Sequence, residues 1–213
     1  MVDILRDRYL AGVADAEALF DAGVADEDSL TGALGQAIAK PIPYEFFDGG
    51  DAYSVKIMWK KIRGRGPNAP ERLYGADGLF QILVSDANGS VIRSKGLPFQ
   101  SKTNWHGRSA EVARQSRDIE SSLGGGIVLN FKETGYEACT TAAAVESSGN
   151  RRQLERAQLM KPLGQMLGND FLNCTIGQIG LYFDPEDERF YQHRRILSPA
   201  NTITTFVRRR RAA

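Results

Sequence analysis

Cysteine and histidine are scarce. The 213 residues hold two of each: Cys139, Cys174, His106 and His193. No paired CxxC, no HExxH and no HxE with a later PCxxC can be assembled from them, which excludes zinc-ribbon, metalloprotease and zinc-deaminase chemistry. Two thiols far apart in the chain fit a reducing cytoplasm better than a disulfide framework. Both are expected to be small buried residues rather than nucleophiles. There is no GxxxxGK[ST] phosphate loop and no GxSxG elbow, so Gly124-Gly125-Gly126 reads as a helix stop. No apolar run approaches ~18 residues, so no membrane-spanning helix is expected. The opening stretch MVDILRDRYLAGVADAEALF mixes acids and arginines where a secretory signal needs an unbroken apolar core. Internal repeats, low-complexity tracts and long linkers are also lacking.

What is present is ordinary globular material, 42% hydrophobic and 25% charged. Length and composition suit one α/β domain over residues 1–213. The expected core is about residues 20–145, followed by a helix and strand extension over 150–207 and a basic tail at 208–213. The net charge of +1 hides a segregation. Without Arg208 to Arg211, 23 basic residues face 26 acids, a net of −3. Residues 1–30 carry eight acids against Arg6 and Arg8, whereas residues 56–72 carry six basic residues against Glu71. Charge sorted in this way suits one face that meets a polyanion. Lys56, Lys60, Lys61, Arg63 and Arg65 are the candidates to contact a nucleic-acid backbone.

Periodicity supplies the elements. Leu5, Tyr9, Leu10 and Val13 recur at helical spacing, and Leu30, Leu34 and Ile38 form a second stripe opened by a cap at Asp26. Lys40-Pro41 ends it. YSVKIMWKK alternates as a strand over 53–61 with Tyr53, Val55, Ile57 and Trp59 on the buried side. RSAEVARQSRDIESSL reads as a helix over 108–123. IVLNFKE and YEACTTAAAV read as a hairpin-like pair across Thr134-Gly135. A helix over RRQLERAQLMKPLGQML breaks or kinks at Pro162. NCTIGQIGLYF and ERFYQHRRIL follow as strands.

The chemistry lies between these elements. ADGLFQILVSD and SVIRSKGLPFQSK flank Asn88-Gly89, the strongest short-range hairpin signal, because a type I′ turn needs φ > 0 at both central residues. With that turn, paired positions sum to 177 and Asp77 falls opposite Gln100; a bulge at Pro98 would shift the register by one. Gln100 and Lys102, two residues apart, share a face. The alternation then predicts Asp77 beside them, with Cβ atoms ~4.5–5.5 Å apart. Asp77 offers a hard carboxylate oxygen to Mg²⁺, Gln100 a neutral carbonyl oxygen, and the Ser101 carbonyl a third. An ion held in this way keeps waters and positions for phosphate. Lys102 would stabilise charge developing at the phosphate.

Gly75-Ala76-Asp77 followed by Phe99-Gln100-Ser101-Lys102 resembles the PD-(D/E)XK nuclease superfamily, in its QxK variant. The likeness continues through a helix carrying Gln115 and the strand IVLNF, and covers about residues 20–145. It is nearest to bacterial restriction and antiphage endonuclease domains. The resemblance implies an α/β fold with a restriction-endonuclease-like core, a mixed central β-sheet flanked by helices. It also implies Mg²⁺-dependent hydrolysis of DNA phosphodiester bonds, with Mn²⁺ as a substitute. Asp77, Gln100 and Lys102 match the motif. A further acid falls to Glu27 or Asp28 on the helix before the core sheet, or to Glu71 near the mouth of the strand. Ala76 stands in place of the motif's proline, and Gln100 in place of its second acid. The expected partners are duplex DNA, a second copy of the chain for double-strand cleavage, and proteins of a bacterial defence system. The alternative is a nuclease-like module without activity that binds nucleic acid or serves as a regulatory or assembly module.

Overall fold

Asp26 opens the helix that the Leu30–Leu34–Ile38 stripe requires. Its carboxylate accepts from the Ser29 N–H and the Ser29 hydroxyl, both at 2.7 Å, and satisfies donors that a helix start leaves free. The computed structural model describes residues 2–23, 26–39, 44–48, 51–61, 74–85, 91–184, 189–192, 195–197 and 201–210. Three helices come first: α1 (Val2–Glu17), the single turn α2 (Phe20–Gly23) and α3 (Glu27–Ile38). Strands β1 (Tyr44–Asp48), β2 (Asp51–Lys61), β3 (Gly78–Ser85) and β4 (Val91–Thr103) follow. Helix α4 (Ser109–Leu123) leads to β5 (Ile127–Phe131) and β6 (Glu137–Thr140). Then come α5 (Thr141–Glu146), α6 (Arg151–Arg156), the two-residue β7 (Lys161–Pro162), and a short turn, α7 (Leu163–Gln165), that runs into a π-helix at Met166–Phe171. The last strands are β8 (Gln178–Ile179), β9 (Leu181–Asp184), β10 (Arg189–Gln192), β11 (Arg195–Leu197) and β12 (Asn201–Arg210).

One mixed sheet organises these elements in the order β1-β2-β12-β3-β4-β5-β6-β7, with β8 against the first half of β4. β3 and β4 are antiparallel, β4 and β5 parallel. Strands β9, β10 and β11 form a separate small sheet. α1, α3 and the π-helix cover one face of the main sheet, where Tyr9, Val13, Leu30, Leu34, Phe80, Phe99, Leu129 and Phe171 are packed out of water. α4 to α6 cover the other, with Val112, Val128, Cys139, Ala144 and Leu154 in one cluster and Ala76, Ile119 and Leu123 in another. A sheet with helices on both faces buries its middle strands on both sides, and all five residues of β5 are buried. The fold is mixed α/β, as the sequence implies.

The hairpin register holds. Gly78 pairs with Phe99 and Val84 with Arg93, each pair summing to 177. The irregularity lies between Val84 and Ser85, beside the turn, and Pro98 pairs with Leu79 without a shift. The turn residues Asn88 and Gly89 themselves lie outside the described residues.

Several expectations give way. Glu137–Thr140 is a strand, but the expected hairpin arm stops there. The Thr140 hydroxyl accepts from the Ala143 N–H at 3.2 Å and starts a helix in the alanine run, alanine being the best helix former. The helix expected over RRQLERAQLMKPLGQML ends at Arg156, well before Pro162, and Gln158 takes a positive φ of 56°. The largest difference concerns the C-terminus. β12 lies between β2 and β3, antiparallel to the first and parallel to the second. Arg208, Arg209 and Arg210, read as a tail, pair with Ser54, Tyr53 and Ala52 along that strand.

The two cysteines also part company: Cys139 is buried in β6, whereas Cys174 is exposed. Burial pushes the Cys139 thiol up to about 12. A thiol reagent at pH 8 is therefore expected to label one cysteine in the folded protein, Cys174, and two after denaturation. Mass spectrometry of the labelled peptides reads this directly, and labelling of Cys139 without unfolding would contradict the packing.

Candidate functional site

β4 ends where two helices begin. Phe99 to Thr103 run parallel to β5, and the chain then turns through the buried Trp105 into α4. In open α/β sheets the crevice beyond the carboxyl ends of parallel strands is the usual seat of ligands. Lys102 stands at that end. It is only 3% exposed, and its Nζ lies 3.4 Å from Glu111 Oε1 and 3.7 Å from Glu27 Oε2. Glu27 belongs to the first turn of α3 and Glu111 to the first turn of α4. The N-terminal dipole of each helix favours its carboxylate there. Arg108 Nη1 holds the other oxygen of Glu27 at 2.5 Å. A buried ammonium without counter-charge would be costly, and two helix starts supply that charge here.

Asp77 lies in the bend just before β3. Its N–H donates to the Phe99 carbonyl at 2.8 Å. Its Oδ2 accepts from the Ser101 N–H at 2.6 Å and from the Ser101 hydroxyl at 2.8 Å. The Thr31 hydroxyl of α3 reaches Ser101 Oγ at 3.4 Å and also donates to the Glu27 carbonyl at 2.8 Å. Asp77 and Glu27, two carboxylates, thus flank adjacent residues of β4. The bend is admitted by Gly75, whose φ is +71° and whose added Cβ would stand 2.5 Å from the Gln115 carbonyl oxygen of α4.

These contacts correct the expected arrangement. Gln100 and Lys102 share the face that packs under α4, since they pair with Val128 and Asn130, and Val128 packs against Val112 of that helix. Ser101, with the Asp77 carboxylate upon it, turns toward α3. The three motif side chains therefore do not gather on one face. The reason is local: Asp77 precedes the first ladder pair, Gly78 with Phe99, so the strand alternation does not reach it. Ala76, its neighbour, packs with Ile119 and Leu123 of α4, which turns Asp77 the other way. Only the long Lys102 spans the corner and meets acids from both helical layers.

Gln100 is fully buried, and among the described residues neither its Oε1 nor its Nε2 finds a hydrogen-bond partner. The same holds for both amide atoms of Asn130, for Gln115 Oε1 and for Ser116 Oγ. Gln100 and Asn130 lie on the neighbouring strands β4 and β5, Asn130 paired with Lys102, and Gln115 and Ser116 belong to α4. Buried polar groups of this kind bond to water or to a ligand.

Of the other candidate residues, Asp28 is exposed, one position beyond Glu27. Lys56, Lys60 and Lys61 occupy β2, with Lys60 and Lys61 beside Thr202 and Asn201 of β12; their side chains, together with Arg63, Arg65 and Glu71, lie outside the described residues. Sequence reasoning missed Glu111, Arg108 and Asn130. An acid in the first turn of a helix reads as dipole complement, and nothing local distinguishes Glu111 from one. Among the described residues, no three His, Cys, Asp or Glu side chains converge closely enough to hold a metal ion by themselves. An ion at this corner would rest on the Asp77 and Glu27 carboxylates together with neutral oxygens and water, a set that suits Mg²⁺.

No family model matches this chain, and no curated protein or solved structure matches it. Among the described residues, no helix is long and apolar enough to cross a membrane.

Proposed function

We propose that the protein is a Mg²⁺-dependent endonuclease that hydrolyses DNA phosphodiester bonds at the corner formed by β4, α3 and α4. One observation carries this reading. A nearly buried lysine stands at the carboxyl end of β4 between acids from two helices, with the Asp77 carboxylate bound to the residue beside it. Asp77 and Glu27 would hold the ion, with the Ser101 carbonyl as a neutral donor; Gln100, turned under α4, does not reach it. The ion, when bound, would polarise the phosphate and the attacking water. The chain's own contribution is an ammonium fixed where negative charge develops, so that it needs no reorganisation during the reaction. Bacterial restriction or antiphage defence is the setting that the motif's resemblance suggests, with a second copy needed to cut both strands.

A second reading, a module that binds nucleic acid or regulates a partner without cutting, is favoured by a separate observation. Gln100 turns under α4, away from Asp77, and Asp77 already accepts two hydrogen bonds from Ser101. Supercoiled plasmid incubated with the protein and Mg²⁺ or Mn²⁺ separates the two. Nicking or linearisation supports the enzyme, whereas a gel shift with intact plasmid in both metals supports the binder.

In either case the basic residues from Lys56 to Arg65 are expected to grip the backbone. If four of those side chains each neutralise a phosphate, log K falls with log salt at a slope near roughly −3.6. Fluorescence anisotropy over a salt series reads it. Replacing Lys60 and Lys61 with alanine is expected to make the slope shallower by about 2, and an unchanged slope would move the interface elsewhere.

A further inference from the structure

Glu111 is absent from the motif, yet it makes the shorter of the two ion pairs to Lys102. We infer that Glu111 is a positioning residue, which holds the Lys102 ammonium at the β4 corner so that Glu27 is not committed to it alone. The inference rests on the reading of this corner as a nuclease site.

Distance and burial carry the argument. Neither carboxylate is at the 2.7–2.9 Å of a tight charge-assisted hydrogen bond: Lys102 Nζ stands 3.4 Å from Glu111 and 3.7 Å from Glu27. The ammonium is shared. Glu27 has a second cation, Arg108 at 2.5 Å, so its charge is divided between two partners. With Glu111 in place, Glu27 can turn an oxygen toward another cation without leaving Lys102 uncompensated. The side chains differ in freedom as well. That of Lys102 is 4% exposed and that of Glu27 26%, whereas that of Glu111 is 41% exposed. Glu111 thus meets solvent at the rim while it reaches inward.

Helix and strand geometry explain why this residue and no neighbour serves. β4 climbs toward Lys102 and α4 returns antiparallel to it. Two strand residues rise about 6.6 Å, and four helical residues about 6 Å. Glu111 and Gln115, one turn apart, therefore stand at the levels of Lys102 and Gln100. Gly75, packed against the backbone of Gln115, fixes the depth of the helix.

The test uses two readouts on the full chain: Glu111→Gln, Glu111→Asp and wild type. The first is independent of activity. Reductive methylation with formaldehyde and a borohydride reagent, quantified by peptide mass spectrometry, measures how freely each lysine reacts. Lys102 is expected to label slowly in wild type and at least fivefold faster in Glu111→Gln, with Lys132 and Lys161 unchanged as controls. Glu111→Asp should restore most of the protection. Unchanged Lys102 labelling in Glu111→Gln overturns the inference. The second readout is plasmid cleavage, where kcat should fall about tenfold in Glu111→Gln with KM for DNA within twofold, and recover in Glu111→Asp. A rise in KM alone would make Glu111 a binding contact and overturn the positioning role. A wild type that cuts nothing in Mg²⁺ or Mn²⁺ refutes the nuclease reading. The methylation result then still decides whether Glu111 holds the lysine.

Discussion

Lys102→Met is expected to reduce plasmid cleavage by about 10²–10³-fold and Asp77→Asn by at least as much, with DNA binding retained. The magnitude follows from what each group would supply. Removing one preorganised charge-stabilising donor typically costs 10²–10³ in rate, about 3–4 kcal/mol of transition-state stabilisation. Loss of a carboxylate that holds the ion costs at least as much. The substitutions are chosen to leave the architecture standing. Asparagine keeps an oxygen for the Ser101 N–H and hydroxyl, which alanine would leave unpaired at a cost of about 1–3 kcal/mol. Methionine fills the volume of the lysine stem. Glu27 keeps Arg108 as a partner, and Glu111 is near the surface, so neither carboxylate is stranded in the interior. Circular dichroism and a gel shift would confirm a folded, binding-competent protein. Cleavage by Asp77→Asn within tenfold of wild type would refute the assignment of the metal-side carboxylate.

The second large effect is expected at Gly75→Ala. The φ of Gly75 is +71°, which glycine adopts freely and alanine does not. That strain alone is of the order of 1 kcal/mol or more. The added Cβ would also stand 2.5 Å from the Gln115 carbonyl oxygen and 3.0 Å from Asp118 Cβ. Relief requires helix α4 to lift or the bend to move. We expect a loss of about 2–4 kcal/mol, in the range of core overpacking and backbone strain combined. For a chain of this length that is a fall in Tm of roughly 5–15 °C. Calorimetry measures it. The bend carries Asp77, so cleavage should drop more steeply than stability when both are assayed well below the melting point. An unchanged Tm would mean that α4 does not rest on the bend.

How much of this was legible before the fold is instructive residue by residue. The pairing of β3 with β4 was readable because the register that an Asn-Gly signal implies in the sequence holds from Val84–Arg93 to Gly78–Phe99, and each partner lies within about ten residues of that signal. The cap at Asp26 was equally local. So was the stop at Gly124, which takes a φ of +73°. The face of Asp77 was not legible, because the alternation rule applies only inside the ladder and the bend at Gly75 ends it one residue short.

The partners of Lys102 lay beyond any local rule. Glu27 and Glu111 come from helices on opposite faces of the sheet, and which of many helix-start acids faces the lysine depends on how both helices dock. The placement of β12 between β2 and β3 was equally hidden, since a strand at the end of the chain carries no mark of the gap it fills.

By itself, then, the order of amino acids determined the elements, their caps, the hairpin register and the residue types available for chemistry, because these follow from short-range backbone preferences and periodicity. Only the tertiary structure decided which charges meet, because the pairing of Lys102 with Glu27 and Glu111, and of Asp77 with Ser101, depends on packing contacts between segments distant in the chain.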